Sequence, residues 1–129
     1  MSYSYPDFWQ RVTLGGTRLC AMRGRGGCDG RLDAHHLIRQ QVLRRKAPEE
    51  ARMDPRVGVA LCDRHHTLVT RAMVRLRRDE VPAQAWAFAA QYDLRDELER
   101  ELAEYHEERA ERQRELREAL AARQGRRAA

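Results

Sequence analysis

Two short stretches decide the fold: residues 31–38 read Arg-Leu-Asp-Ala-His-His-Leu-Ile, and residues 57–66 read Val-Gly-Val-Ala-Leu-Cys-Asp-Arg-His-His. The first stretch leaves a loop punctuated by glycines and predicts a short β-strand. In the second stretch, residues 57–61 are apolar and predict another short strand. Asp63 then offers a good N-cap for a helix over about residues 64–77. The sequence therefore predicts a strand–loop–strand–helix unit.

All three cysteines of the chain lie around this unit. Cys20 and Cys28 flank the glycine loop with seven residues between them, and Cys62 and His65 are separated by two residues at the start of the predicted helix. Two pairs of thiolate and imidazole ligands suit tetrahedral zinc, and the glycines let the wide first pair fold back. We therefore predict a structural Zn²⁺ on these four residues. His66 could replace His65, and the competing interpretation is that the cysteines are simply buried thiols.

The composition is that of a small polar protein. The chain has 129 residues, of which 35% are charged and 42% are hydrophobic, and a core of this size is often supported by a metal. No stretch approaches the roughly 18 apolar residues needed to span a bilayer, and residues 2–9 lack the apolar run of a secretory signal. Three cysteines cannot all pair with one another. These features predict a cytoplasmic protein with reduced thiols and no membrane partner.

The net charge of +5 is unevenly distributed. Residues 1–91 contain 16 Lys and Arg against 9 Asp and Glu, whereas residues 92–129 contain 9 against 11. Residues 1–91 are therefore the part of the chain that is expected to bind a polyanion. We predict that a basic rim contacts the phosphates of double-stranded DNA: Arg39, Arg44, Arg45, Lys46, Arg71 and Arg75, together with Arg77 and Arg78.

The chain divides by pattern into three parts. Residues 1–19 are predicted to form a mixed leader with one short helix, residues 20–80 the core with the zinc site, and residues 81–129 a helical C-terminal extension. Within the extension, residues 92–124 are predicted to form one long, partly solvated helix. Its heptad pattern is incomplete, so a homodimer through this helix is possible but not required. Four apolar residues share one face of it: Leu94, Leu98, Leu102 and Tyr105.

Two histidine doublets, at residues 35–36 and 65–66, are hard to explain by packing alone. Together with their neighbours in residues 32–38 and 58–66, they resemble the HNH endonucleases, which use the ββα-metal fold. The resemblance covers about residues 18–75. It implies an α+β fold with a small, zinc-stabilised ββα-metal core, added helices and a long charged C-terminal helix.

The resemblance also implies an activity, that of a metal-dependent DNA endonuclease or nickase hydrolysing phosphodiester bonds. His36 matches the general base of the family, while His35 and His66 match ligands of a catalytic divalent cation such as Mg²⁺, Mn²⁺ or Ni²⁺. This chemistry is sound, because imidazole can take a proton from water near neutral pH and a cation can neutralise charge on phosphate. Adjacent histidines on a regular strand point to opposite faces, and a local twist would let one hold metal while the other faces water.

Two departures from the family pattern keep other functions open. Val57 stands where the middle motif residue is usually asparagine, and Thr70 stands where some members carry a further metal ligand. Small stand-alone members are often encoded by bacterial viruses, and some act beside a terminase, which is therefore a possible partner. The first alternative is a non-catalytic zinc module that binds nucleic acid or a protein. The second is an adaptor whose main feature is the helix over residues 92–124.

Overall fold

The computed structural model describes residues 4–16 and 18–128 and shows a two-stranded sheet surrounded by helices. The strands are β1 (Leu32–His36) and β2 (Gly58–Cys62). The predicted α+β class is confirmed. The helices are α1 (Tyr5–Thr13), α2 (Gln40–Lys46), α3 (Asp63–Thr70), α4 (Ala83–Gln91), α5 (Arg95–Arg100) and α6 (Ala103–Ala128).

The sheet is antiparallel, with Leu32 opposite Cys62 and His36 opposite Gly58. Helix α3 follows β2 without a connecting loop, so the two predicted strands and the helix after them are present. The connection between the strands was predicted as a loop but contains helix α2. The predicted N-cap at Asp63 was wrong, because Cys62 is the N-cap and its Sγ accepts the N–H of His65. Asp63 is instead the first residue of α3.

Helix α3 ends at Thr70, seven residues before the predicted end. Ala72 adopts a left-handed conformation with φ of +56°, and the N–H of Met73 donates to the carbonyl of Leu68 at 2.9 Å. This is the usual way in which a helix closes its last turn. The chain then turns back towards the core, where Leu76 is buried.

Helix α1 packs against the start of β2 because residue 58 is glycine. Ser4 and Asp7 form a capping box at the first turn of α1, and Phe8 on the same helix is fully buried. A Cβ built on Gly58 would lie 2.6 Å from Cζ of Phe8. Only glycine therefore lets Phe8 lie against the strand, next to the partner of Gly58 in the sheet, His36.

The C-terminal leucines belong to the chain's own core. Leu94, Leu98 and Leu102 are fully buried in the same hydrophobic cluster as Phe8. The single helix predicted over residues 92–124 is broken instead, because α5 ends at Arg100 and α6 begins at Ala103. Between them Leu102 pairs with Leu76, and the N–H of Ala103 donates to the carbonyl of Leu76 at 2.9 Å.

Helix α6 has 26 residues and is therefore about 39 Å long. All of its side chains from residue 107 to residue 127 are exposed, and Arg112 and Glu108 form an ion pair at 3.4 Å along its surface. No helix in the described part of the chain is long and apolar enough to cross a membrane. The division at residues 19 and 80 and the homodimer through this helix stay predictions.

Candidate functional site

The four predicted zinc ligands lie together in the fold. Nδ1 of His65 lies 3.4 Å from Sγ of Cys20, 3.6 Å from Sγ of Cys28 and 3.2 Å from Sγ of Cys62. All four ligand atoms lie within 4.8 Å of one another, and every residue except Cys28 is buried. This cluster, which we call the cysteine cluster, could hold one metal ion.

Glycines in the loop of residues 20–31 make this convergence possible. Gly30 has φ of +85°, and a Cβ there would lie 2.6 Å from Cβ of Asp63. The space is used by the Asp63 carboxylate, which accepts the N–H of Arg31 at 3.0 Å. The Arg64 guanidinium donates to the carbonyl of Gly27 at 2.9 Å. The first turn of α3 therefore fastens the loop that carries Cys28.

Two thiols of the cysteine cluster, those of Cys28 and Cys62, have perturbed pKa values. Loss of hydration, together with the neighbouring thiols of Cys20 and Cys62, raises the pKa of Cys28 to about 11. Burial also raises the pKa of Cys62, but hydrogen bonds from the backbone of His65 and Asp29 outweigh it, and the net shift is downward. Three thiolates so close together would repel one another, and a bound cation would offset that repulsion.

The histidines of β1 point to opposite faces of the sheet. The strand is regular through both residues, with no local twist at the doublet. His35 faces α3, where its ring lies 5.5 Å from the ring of His66 in an edge-to-face arrangement. His36 faces α1 and stacks on Phe8 with ring centroids 4.1 Å apart.

His36 is held on several sides. Its Nε2 lies 2.7 Å from Nε2 of Gln40, the first residue of α2. Burial lowers the pKa of His36, and a hydrogen bond with the backbone of Arg52 works in the opposite direction. Because Nε2 of His36 faces Gln40, we assign the hydrogen bond with the backbone of Arg52 to Nδ1 of His36. The ring is therefore neutral near pH 7, with its acceptor nitrogen towards Gln40.

Asp33 lies beside His66, a contact that the sequence motifs did not indicate. Its Oδ2 lies 3.2 Å from Nδ1 of His66, and its Oδ1 accepts the N–H of Ala34 at 2.8 Å. The signal was present in the sequence, because residues two apart on a strand share a face. Asp33 and His35 therefore had to lie together once β1 was recognised.

A cleft of about 260 Å³ lies beside the doublet of β1. Its wall includes both His35 and His36, and the predicted rim residues Arg39 and Arg75 line it as well. Thr70 also lines the cleft, together with residues 101 and 102, which lie between α5 and α6. We call this space the histidine cleft.

The predicted ligands of the catalytic cation, His35 and His66, are neighbours without a third ligand in the same close group. Within residues 4–16 and 18–128, the cysteine cluster is the only set of three or more ligand atoms gathered within 4.8 Å. Burial, followed by the charges of His66 and His36, lowers the pKa of His35 to about 4. His35 is therefore an uncharged electron-pair donor throughout the neutral range.

Val57, at the position of the usual asparagine, is fully buried. Its carbonyl accepts the N–H of Leu37 at 2.8 Å, which links the chain before β2 to the chain after β1. The backbone thus ties the two segments together here without a polar side chain at residue 57. The valine side chain belongs to the hydrophobic core.

The predicted basic rim divides into two groups. Acidic residues of the C-terminal helices pair with some members: Arg39 with Glu101 at 3.2 Å, and Lys46 with Glu97 at 2.8 Å. The same applies to two further arginines, because Arg77 pairs with Glu104 and Glu107, and Arg78 pairs with Glu99. In the described part of the chain no ion pair involves the second group: Arg44, Arg45, Arg71 and Arg75.

Comparisons with known proteins found no match. No protein-family model matches the chain, no curated protein resembles it in sequence, and no solved structure matches its fold. The resemblance to the HNH endonucleases therefore rests on the motif residues and their arrangement alone.

Proposed function

We propose that this protein is a metal-dependent DNA endonuclease or nickase of the HNH type, with a structural Zn²⁺ in the cysteine cluster. The observation that carries the proposal is the histidine cleft, which is lined by His35 and His36 of β1, with His66 edge-to-face against His35. A potential base and one potential cation ligand thus line one small space, and a second potential ligand lies against the first. Such a combination is what hydrolysis of a phosphodiester requires.

Zinc is the metal that we propose for the cysteine cluster. Tetrahedral zinc with Zn–S near 2.3 Å and Zn–N near 2.0–2.1 Å implies a separation of about 3.6 Å between sulfur and nitrogen ligands. The three separations of 3.2–3.6 Å between the sulfurs and Nδ1 of His65 fit this value. A set of three thiolates and one imidazole, with no open position, is typical of a structural site.

His36 is the general base in this proposal. A ring whose Nδ1–H donates to the backbone of Arg52 presents its lone pair on Nε2, and Phe8 prevents the ring from turning. The Gln40 amide now lies where the attacking water would stand. Gln40 lies at the first turn of α2, and its side chain must move aside so that a water can donate its proton to Nε2.

The catalytic cation would be held by His35 and His66, with water and phosphate completing its coordination. Such a cation would neutralise the charge that develops on the phosphate and on the leaving oxygen. His35 contributes because its low pKa keeps the ring free of a competing proton. Two imidazoles favour Mn²⁺ or Ni²⁺ over Mg²⁺, although Mg²⁺ accepts few protein ligands and several waters.

Double-stranded DNA is the proposed substrate, and the unpaired basic residues are its proposed contacts. Arg75 lines the histidine cleft, and Arg71 is exposed just beyond the end of α3. On α2, Arg44 and Arg45 are exposed in the last turn. Phosphate contacts position a duplex without reading its sequence. The biological setting that we propose is a DNA-processing complex in the cytoplasm, such as a viral terminase.

A plasmid-nicking assay tests the proposal. Zinc-loaded protein is incubated with supercoiled plasmid and Mg²⁺, Mn²⁺ or Ni²⁺, and nicking is measured for the unmodified protein and for His36→Ala. We expect His36→Ala to lose about 10²–10⁴-fold in rate while it retains zinc and binds DNA. His106→Ala is the matched control, because His106 lies on α6, where its Nε2 is 2.8 Å from the carbonyl oxygen of Arg100, and it does not line the histidine cleft.

Two outcomes of this assay would contradict the nuclease proposal. If the unmodified protein nicks no plasmid with any of the three cations, or if His36→Ala nicks as fast as the control, the nuclease proposal fails.

A second candidate is a zinc-held module that binds nucleic acid without cutting it. The contact between Gln40 and Nε2 of His36 favours this candidate, because it occupies the acceptor nitrogen. Salt-sensitive binding of duplex DNA by a protein that shows no cleavage would support it. Replacing Arg44, Arg45 and Lys46 with alanine should then lower the salt slope by about 1 for each lost phosphate contact.

A further inference from the structure

The Asp33 carboxylate is fixed at both of its oxygens. Oδ1 accepts the N–H of Ala34 at 2.8 Å, which holds the side chain against its own strand. Oδ2 then points across to α3, where it lies 3.2 Å from Nδ1 of His66. The carboxylate therefore has one defined position relative to the His66 ring.

This contact decides which nitrogen of His66 is available. A carboxylate can only accept, so a neutral His66 ring must carry its proton on Nδ1 to satisfy Asp33. The lone pair is then on Nε2, at the far side of the ring. Carboxylate–histidine–metal arrangements use this principle: the outer carboxylate sets the tautomer and the orientation of the ligand and makes it a better donor.

Asp33 has no evident role in the hydrophobic core or in the cysteine cluster. Its side chain is 35% exposed, it lies outside the hydrophobic core, and it is not part of the cysteine cluster. It shares the strand face of His35, whose ring meets the ring of His66. Asp33 and His35 on β1 therefore both contact His66 on α3.

We propose that Asp33 is a positioning residue of the catalytic cation site, where its carboxylate fixes the ring and the tautomer of His66 so that Nε2 is free to bind a divalent cation. This inference rests on the proposed function, because it assigns a part to the same site. It does not make Asp33 a ligand. Its effect is transmitted through His66.

The first test reads the tautomer directly, without any reaction. Zinc-loaded, ¹⁵N-labelled protein free of other divalent cations is studied by long-range ¹H–¹⁵N correlation NMR at about pH 8, where an ordinary imidazole is neutral. We expect His66 to carry its proton on Nδ1 and Asp33→Ala to show a mixture of tautomers. Asp33→Glu should restore the original form in part, and His106 serves as an unaffected reference.

The second test measures Mn²⁺ binding by water-proton relaxation. Loss of an outer carboxylate should weaken Mn²⁺ binding about 10–100-fold in Asp33→Ala, and also in Asp33→Asn, which keeps the shape of the side chain if the alanine variant fails to fold. In a His66→Ala background, Asp33→Ala should cause no further loss. A further loss in that background would make Asp33 a direct ligand and overturn the proposal.

The outcomes separate this inference from the proposed nuclease activity. A proton on Nε2 of His66 in the unmodified protein, an unchanged tautomer in Asp33→Ala, or no Mn²⁺ binding by the unmodified protein would each overturn it. If the tautomer and Mn²⁺ results are as expected but no plasmid is nicked, the positioning role holds and the nuclease proposal fails.

Discussion

The cysteine cluster and the histidine cleft contain similar residues but are built in different ways. In the cluster, four ligand atoms lie within 4.8 Å of one another, and three of the four residues are buried. In the cleft, His35 and His66 only meet at their ring edges, and His36 lies on the opposite strand face against Phe8. A closed set suits a structural metal, whereas an open set leaves positions for water and substrate. The protein thus has one complete set of metal-ligand atoms and one open group of histidines, whose coordination we propose that water and substrate complete.

Removing a cysteine should have the largest effect and should sharpen this difference. Because zinc binding free energy, about 10–16 kcal/mol in small zinc domains, is largely folding free energy, we expect Cys62→Ser to lose both zinc and its cooperative thermal transition. His66→Ala, a change at the neighbouring doublet, should keep one zinc per chain and a cooperative transition. Elemental analysis and circular dichroism measure both quantities.

Equal zinc content in the two variants would break the comparison, because the cluster would then not be the metal site. The same follows if freshly purified, unchelated protein contains no zinc.

Replacing Val57 with asparagine tests whether the missing motif residue can be restored. Val57 is fully buried in the core, so Val57→Asn places an amide among apolar side chains. We expect a loss of about 2–4 kcal/mol in the free energy of unfolding, from lost apolar burial and an unpaired polar group. Urea unfolding measures it, and Val57→Ala is the control that removes methyl groups without adding an amide.

If Val57→Asn is as stable as the original protein and nicks plasmid faster, the site has room for the motif asparagine. The interpretation of residue 57 as a core position would then be wrong.

The pH dependence of stability should report on His35. Burial and the nearby histidines lower its pKa from 6.5 to about 4 in the folded protein. Between these values the unfolded chain binds a proton that the folded chain does not, so the free energy of unfolding falls as the pH is lowered through this window. After allowance for solvent screening at this half-buried ring, we expect a loss of about 1–2 kcal/mol.

Urea unfolding of the original protein and of His35→Asn at pH 7, 6 and 5 measures this effect. Protonation of the cysteine cluster affects both proteins alike, so the difference between their slopes belongs to residue 35. Identical slopes would show that His35 titrates normally.

The smallest expected effect concerns the acidic residues that face the basic rim. Glu99, Glu104 and Glu107 pair with Arg77 and Arg78. Changing all three to glutamine should release both arginines and strengthen duplex DNA binding by less than about 1 kcal/mol per arginine, with a salt slope steeper by up to about 2. Fluorescence anisotropy over a salt series measures it.

Glu111→Gln is the matched control, because Glu111 pairs with Arg114 farther along α6. An unchanged affinity in the triple variant would mean that DNA does not pass over Arg77 and Arg78.

The sequence was most informative where spacing alone determines geometry. The four residues of the cysteine cluster were identified from their spacing, and the two strands were placed within about two residues of their observed bounds. The position of Asp33 beside His66 was missed, because it depends on how α3 packs over β1 and not only on the alternation within β1. The stacking of Phe8 on His36 joins residues 28 positions apart, and no local pattern indicates such a contact.

In the C-terminal part, the sequence indicated an apolar face but not the surface against which this face packs. The shared face of Leu94, Leu98 and Leu102 was correctly recognised as apolar, but the pattern does not say what the face packs against. In the fold it packs into the core of the same chain. The break at residues 101–102 follows from the pairing of Leu102 with Leu76, a contact made after folding that helix propensity does not encode.

That pairing determines where the chain can be shortened. A chain ending at residue 80 would lose Leu94, Leu98 and Leu102, which are fully buried, and would leave Leu76 without its partner. A chain ending near residue 107 would lose residues 108–127, whose side chains are all exposed. The chain up to about residue 107 is therefore the unit that evolution or an engineer could move as a whole. Another domain could be joined to the part of α6 beyond residue 107 without disturbing the histidine cleft.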